Sequence, residues 1–503
     1  MTSFMNRAVI ALDLGTSSLK ALAMSDDGRI LGQARRFYST HHPQPGWNEQ
    51  DPRDWWVAAE ETIRELTSLL PDTTFAAISL TGQMHGTVVA NANGDTQARA
   101  VIWSDRRAVA ERNAIAAEIG PDLASLIGGP LGAGYQVTTA RWFRSHRPEL
   151  LDPECVFLLP KDVLAYHLTG MRATEPSDAV STGLMNARLE TWDPKLLRAA
   201  GISESQLPMI VPSGTTVGGL RTAFAIQVGL DGGIPVVIAG GDAPCGAIGA
   251  GVISPDQAML MLSSGAQVVL PTLDNTPDLA GRWHTFPSAV VIGQPGCRRN
   301  RVGATSNAGI AFEWFSRLTQ TDVPGCLAVA ADVPAGARGA LFIPSLTGQR
   351  TPVLDPGARG TFYGLTEQHG IPELARAVIE GVVFACRHAF ATMMGDHARP
   401  AKLVLGGGPS QHAIVRQIVA DIFGLPVQPL NSADLSALGA AQIAMRALGW
   451  AEKVHDSDTT GEIVPNPSNQ AVYENLFVIH VDAAEASRDI SHRLDPDSAR
   501  LAR

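Results

Sequence analysis

Cysteine is scarce in this chain, long basic runs are absent, and the two commonest nucleotide-loop signatures are missing. Five cysteines occur among 503 residues, at positions 155, 245, 297, 326 and 386. They are odd in number, scattered and never spaced C-x-x-C, which argues against a disulfide framework and for reduced thiols in a cytoplasmic protein. The formal net charge is -10, and without a basic run a nucleic-acid partner is disfavoured. No uninterrupted apolar run approaches the roughly eighteen residues of a membrane-crossing helix. Asp13 also cuts the N-terminal apolar stretch short. Neither membrane attachment nor a signal peptide is therefore expected. Neither G-x-x-x-x-G-K-S/T nor G-x-G-x-x-G occurs, which removes the P-loop and the dinucleotide fingerprint. Any nucleotide must be bound by another architecture.

What is present suits a large folded chain. The length exceeds one core and fits two domains. Hydrophobic residues make up 45% and charged residues 17%, enough for a sizeable core and against gross disorder. Glycine is abundant, with 49 residues, many in short clusters that suggest tight turns near a ligand.

The stretch ALDLGTSSLKAL, residues 11–22, sets a carboxylate, Asp13, inside an apolar run. A carboxylate leaving water is costly unless something pairs with it. AVIALDL reads as a buried strand, LKALAMS as a second, and RILGQARRF as a third after the DDG turn. Asp51 then caps a helix with Pro52 at its first position. Trp55, Ala59, Ile63, Leu66 and Leu70 recur along it at helical spacing. FAAISL is a further strand, ended by GQMHG. From Pro235, PVVIAGGDAPCGAIGAG reads as a strand, a glycine-rich turn and a helix. QAMLMLSSGAQVVLP then echoes the opening plan of strand, small-residue turn and strand. AKLVL, the glycines at 406–408 and a helix from Ser410 that stops at Gly424 and Pro426 follow. The expected domains are 1–252 and 253–450, with 451–503 as a polar, peripheral extension.

Phosphate recognition unites these pieces. A small-residue turn between strands leaves backbone N–H groups open to an anion, and the hydroxyls of Thr16, Ser17 and Ser18 can add hydrogen bonds. Asp13 would then hold Mg²⁺ through water, since that ion keeps much of its hydration shell. The plain alternative is an ordinary hairpin. Asp242 begins a helix after a strand, where the helix N-terminus favours its charged form; the plain alternative is a helix N-cap. His85, between two glycines at a strand end, is either a satisfied core histidine or a directed donor facing a ligand. Met84 shapes the pocket. Trp103, Asp105 and Arg106 either contact the ligand or brace the site. Gly406–Gly408 precede a helix start, a ready anion site.

The ordered set IALDLGTSSLKA, GWNEQDPRDWW, LTGQMHG, IWSDRR, LLPKDVLAYHLTG, IAGGDAPCGAIG, FIPSLTGQRTPVLDPGARGTFYGL, IEGVVFACRH, LGGGPS and LSALGAA resembles the FGGY carbohydrate kinases. The nearest branch is that of the xylulokinases. The resemblance runs from about residue 8 to 450. It implies an α/β chain of two ribonuclease-H-like domains of the actin/hexokinase-type ATPase class. Each is a mixed sheet flanked by helices, with ATP and sugar meeting in the cleft between them. The implied partners are a small sugar and MgATP, with a homodimer left open. The implied reaction moves the γ-phosphoryl of MgATP to a sugar hydroxyl. Carried over, Asp13 is the metal-and-phosphate aspartate and Asp242 the general base. Met84, His85 and Asp242 line the sugar site. Thr16, Ser17, Ser264 and Gly265 bind phosphate, and Gly407 and Gly408 belong to the adenosine loop.

Three departures stand out. Ala243 replaces the asparagine usual after the catalytic aspartate, removing an amide able to bind a hydroxyl. The second phosphate loop reads Ser-Ser-Gly-Ala instead of opening on glycine. Gln349 stands where many relatives have glutamate. D-xylulose is the first expectation, giving D-xylulose 5-phosphate. Ribulose, another ketose, a polyol or a sugar acid are alternatives, as is a non-catalytic sensor on the same fold. A chaperone-like ATPase would need a longer C-terminal module.

Overall fold

The computed structural model describes residues 6–430, 434–450 and 461–494. They form two compact α/β units. The first comprises Met1–Ile253, Leu273–Asn300 and Asp434–His455, and the second Ser254–Thr272, Arg301–Ala433 and Asp456–Arg503. The first division thus falls at residue 253, and two later segments return to the first unit.

The first unit opens on β1 (Asn6–Leu14), β2 (Ser18–Ser25) and β3 (Ile30–Phe37), an antiparallel meander. β4 (Thr73–Gly82) lies parallel to β1; β5 (Thr215–Gly219) and β6 (Pro235–Gly241) complete a six-stranded sheet in the order β5-β6-β4-β1-β2-β3. β1 is apolar without alternation because both of its faces are covered. Ile10, Leu12 and Leu14 join Trp55, Ile63 and Leu66 of helix α1 (Pro52–Leu69). Val9 and Ala11 join Ala437, Leu438 and Ala441 of a helix at Leu435–Ala447. Burying each such leucine, isoleucine or valine contributes about 1.5–3 kcal/mol. α1 starts where expected, Asp51 accepting the Arg53 N–H with Pro52 at the first position.

The second unit repeats the plan. β7 (Gln257–Leu262) and β8 (Ala266–Thr272) form an antiparallel hairpin; β9 (Arg299–Thr305) follows, β10 (Lys402–Gly406) runs parallel to β7, and β11 (Val427–Pro429) parallel to β10. The echo between the two hairpins is therefore structural. Leu14 pairs with Leu19 across the four residues Gly15–Ser18 in one, and Leu262 with Ala266 across the three residues Ser263–Gly265 in the other. One step back, Asp13 pairs with Lys20, whereas Met261 pairs with Gln267. The acidic residue belongs to the first hairpin alone.

The helix Ile371–Met394 is long and apolar enough, by length and composition, to cross a membrane. Here it is a core helix, with Val378, Ile379, Val382 and Phe384 buried. The polar tail is less peripheral than its composition implies. Its helix Pro467–Arg493 buries Tyr473 and His480, and Tyr473 O–H donates to the buried Glu380 at 2.6 Å. Residues 451–460 and 495–503 lie outside the described residues.

Candidate active site

Three parallel strands of the first unit end side by side. In register, Asp13 of β1 faces Thr81 of β4, and Gly82 of β4 faces Gly241 of β6. The carboxyl ends of these strands therefore bring together Asp13, the GQMHG loop and the Gly240–Asp242 turn. Ligands of α/β sheets bind at such ends because loops and helix starts converge there.

Asp13 is buried, and its Oδ1 has no hydrogen-bond partner. Burial raises its pKa to about 6, with Asp434 pushing the same way and Lys20 and Arg35 opposing. Lys20 Nζ lies 3.9 Å from Asp13 Oδ2 and 2.9 Å from Asp434 Oδ1. The turn that follows is held from outside. Tyr38 O–H donates to the Gly15 carbonyl, Gln50 Nε2–H to the Thr16 carbonyl at 2.5 Å, and Trp103 Nε1–H to Thr16 Oγ1 at 3.0 Å. Among the described residues no partner takes up the Thr16 or Ser17 N–H. That is the open donor pair an anion requires.

Asp242 is not a helix N-cap. The helix α2 (Asp242–Gly249) begins at this residue directly after β6, and Asp242 Oδ1 accepts the adjacent Ala243 N–H at 2.8 Å. The expectation that the helix start keeps it fully charged needs correction. Desolvation and the nearby Asp13 charge outweigh the amide, raising its pKa to about 7. This is the range of a working general base near neutral pH.

Met84 packs on the same turn; a Cβ at Gly241 would lie 2.7 Å from Met84 Cγ, so only glycine fits there. His85 adopts φ 72°, a left-handed conformation rare for a non-glycine residue. Its N–H donates to Ser181 Oγ at 2.9 Å, and Nδ1 is 2.9 Å from the Ser181 carbonyl, which makes Nδ1 the donor. The ring stacks on Tyr135, centroids 4.3 Å apart. Trp103 is half-exposed beside the turn at Thr16, whereas Asp105 is a brace. Buried, it accepts the Asn48 N–H at 2.6 Å and pairs with Arg107 at 2.8 Å.

In the second unit, the Ser263–Gly265 turn is fastened by Ser263 N–H to the Gly265 carbonyl and by Ala308 and Ile310 N–H groups to the Ser264 carbonyl. Ser263 and Ser264 are exposed, so replacing glycine by serine introduces no crowding there. At the glycine triplet, packing explains two members. A Cβ on Gly406 would meet Met261 Sδ at 2.6 Å, and one on Gly407, at φ 96°, the Leu262 carbonyl at 1.8 Å. A Cβ on Gly408 meets nothing within 4 Å. The helix expected from Ser410 is a 3-10 turn at Gly408–Gln411 followed by an α-helix at Ala413–Phe423.

Sequence reasoning passed over Tyr135 and the buried charges behind His85. Tyr135 carries no motif of its own. Lys161, Asp162, Glu175 and Asp178 receive no role from the sequence, although the Lys-Asp pair within LLPKDVL interrupts an apolar stretch and flags the first two. Among the described residues no cluster of three or more His, Cys, Asp or Glu could hold a metal. The donor set at Asp13 nevertheless suits magnesium, which is commonly held by one or two carboxylates together with water and substrate phosphates. Asp13 Oδ1, buried and without a hydrogen-bond partner among the described residues, is the atom that would hold it.

Two family models match, the N-terminal domain of the FGGY family of carbohydrate kinases over residues 8–249 and its C-terminal domain over 263–448. The chain is 31% identical to the xylulose kinase of Escherichia coli (strain K12) over 87% of its own length and 90% of that protein's. A ligand-bound xylulose kinase structure from Lactobacillus acidophilus superposes with a TM-score of 0.89 at 26% identity, covering 95% of this chain and 98% of that one. A gluconate kinase structure from the same species gives 0.89 and 26%, over 97% of this chain and 100% of that one. The chain belongs to the FGGY family of carbohydrate kinases, phosphotransferases with an alcohol acceptor.

Proposed function

We propose that the enzyme transfers the γ-phosphoryl group of MgATP to a ketopentose, D-xylulose foremost, giving D-xylulose 5-phosphate and ADP. The observation that carries this reading is the convergence of Asp13, Asp242 and His85 at the carboxyl ends of adjacent parallel strands. Asp242, with its pKa raised to about 7, accepts the proton of the sugar hydroxyl as that oxygen bonds to phosphorus and the bond to ADP breaks. The hydroxyl proton leaves late in a loose transition state, so positioning and charge neutralisation carry more of the rate than base strength. Met84 and His85 orient the sugar. The Thr16 and Ser17 amides receive phosphate oxygens, and the Ser264–Gly265 turn and Gly407–Gly408 are the matching nucleotide elements of the second unit. When bound, magnesium supplies charge neutralisation on the transferred phosphate, and Asp13 would hold it. Cys155, Cys245, Cys326 and Cys386 are free and buried, in keeping with work in the cytoplasm.

A sugar acid is the second reading. The gluconate kinase structure is as similar as the xylulose kinase one, and Ala243 offers no amide to a ketose hydroxyl. A coupled ADP-release screen over ketoses, polyols and sugar acids separates the readings. Release that is fastest with D-xylulose supports the first, fastest with an aldonate the second, and release independent of every sugar contradicts both.

A further inference from the structure

Behind the sugar-facing loops lies a set of charges that the proposed chemistry does not use. Lys161, Asp162, Glu175 and Asp178 are all 0% exposed. The Lys161 ammonium lies 2.7 Å from Asp162, 2.9 Å from Asp178 and 4.0 Å from Glu175. Three carboxylates around one buried ammonium are a poor way to gain stability, because well-packed apolar side chains of like volume serve as well or better.

Two carboxylates each reach a backbone amide of the site through one serine. Ser181 O–H donates to Asp178 Oδ1 at 3.1 Å, and the same Oγ accepts the His85 N–H at 2.9 Å. Ser177 O–H donates to Glu175 Oε1 at 2.9 Å, and its Oγ accepts the Gly241 N–H at 3.2 Å. Glu175 is itself fixed by the Ser177 and Asp178 N–H groups, each at 2.8 Å, and by Ser213 O–H at 2.8 Å. The two amides belong to the residue that orients the sugar and to the neighbour of the base. His85 needs such an anchor, because its left-handed backbone persists only when its surroundings over-determine it.

We propose that Lys161, Glu175 and Asp178 form a positioning centre that sets His85 and the Gly241–Asp242 turn in one frame through two carboxylate–serine–amide relays, Asp178–Ser181–His85 and Glu175–Ser177–Gly241. The relays make separable demands. Ser181 governs how the sugar is oriented, and Ser177 governs where the base stands. The raised pKa values of Glu175, about 7, and Asp162, about 6, both chiefly from burial, agree with a cluster whose charge is not fully compensated.

This inference rests on the kinase reading, so its test has an arm free of activity. The serine variants Ser181→Ala and Ser177→Ala are preferable to charge removal, because breaking the buried cluster can prevent folding. Hydrogen exchange on the unliganded protein is expected to quicken locally, around residues 82–88 in Ser181→Ala and around 238–244 in Ser177→Ala. In the kinetic arm, Ser181→Ala raises the sugar KM by up to about 10²-fold with the ATP KM unchanged, and Ser177→Ala lowers kcat by a similar factor. Unchanged local exchange in both variants overturns the relays, whether or not the protein proves to be a sugar kinase. Local exchange changes with wild-type KM and kcat per folded enzyme overturn the positioning role. A wild-type enzyme inactive on every sugar overturns the kinase reading and leaves the exchange arm to decide the relays.

Discussion

Lys20 stands between two carboxylates, 2.9 Å from Asp434 and 3.9 Å from Asp13, and so ties the first hairpin to the residue that precedes the helix Leu435–Ala447. Both neighbours bear on Asp13. Lys20 lowers the pKa of Asp13, and Asp434 raises it.

Opposite pH shifts follow from that arrangement. Lys20→Met removes the stabilising charge, so Asp13 titrates above about 6; Asp434→Asn removes a repelling charge and leaves the lysine to Asp13, so it titrates lower. If ionised Asp13 is required for MgATP, the acid limb of kcat/KM for ATP moves up in the first variant and down in the second. Shifts of the same sign, or none, contradict the role of Asp13.

Asp242 should oppose stability where it serves chemistry. Its folded pKa, about 7, lies above the ordinary value of 3.8. The folded state therefore binds more protons than the unfolded chain between those values. Stability from this group is full below the unfolded pKa and is lost as pH rises through about 7. Asp242→Asn is expected to melt above the wild type at pH 8, with the gap closing towards pH 5. A variant that melts below the wild type at pH 8 shows that the charge is well compensated.

The glycine triplet separates packing from binding. Gly407→Ala forces a Cβ onto the Leu262 carbonyl at a positive φ and is expected to destabilise by about 1–3 kcal/mol or more. Gly408→Ala meets no neighbour within 4 Å and should alter stability by no more than about 0.5 kcal/mol. Denaturant unfolding measures both. Equal effects contradict the division between the two glycines. A raised ATP KM in Gly408→Ala would bear out its nucleotide role.

Substrate choice should respond at the residue after Asp242. Ala243→Asn returns an amide beside Asp242, and a site that hydrogen-bonds a hydroxyl discriminates strongly against ligands lacking it. The ratio of kcat/KM for a ketose over an aldonate should change by about tenfold or more. An unchanged ratio places specificity elsewhere.

Local rules read the meander, the capped helix α1 and the two echoing hairpins directly from residues, because strand runs, Asp-Pro capping and small-residue turns are short-range signals. Long-range effects were not legible. Nothing in LSALGAA shows that this helix covers β1 and β4 of the first unit, Ser79 Oγ–H of β4 reaching the Ala440 carbonyl at 2.7 Å. Nor does GGDAP reveal that Asp13, more than two hundred residues away, raises the pKa of Asp242 against the pull of its helix start. Nothing local to LLPKDVL shows that Glu175 and Asp178 fold against Lys161. The tail helix reads as peripheral because most of its residues are polar or exposed, while its buried Tyr473 meets Glu380 only through the fold.

The most direct test is the turnover of Asp242→Asn at pH 8 with saturating MgATP and the best sugar, measured by coupled ADP release, with sugar affinity measured by calorimetry. The account predicts sugar binding within a few-fold of the wild type and a loss of roughly 10²–10⁴-fold in kcat. Turnover near the wild-type rate with the sugar still bound would contradict it.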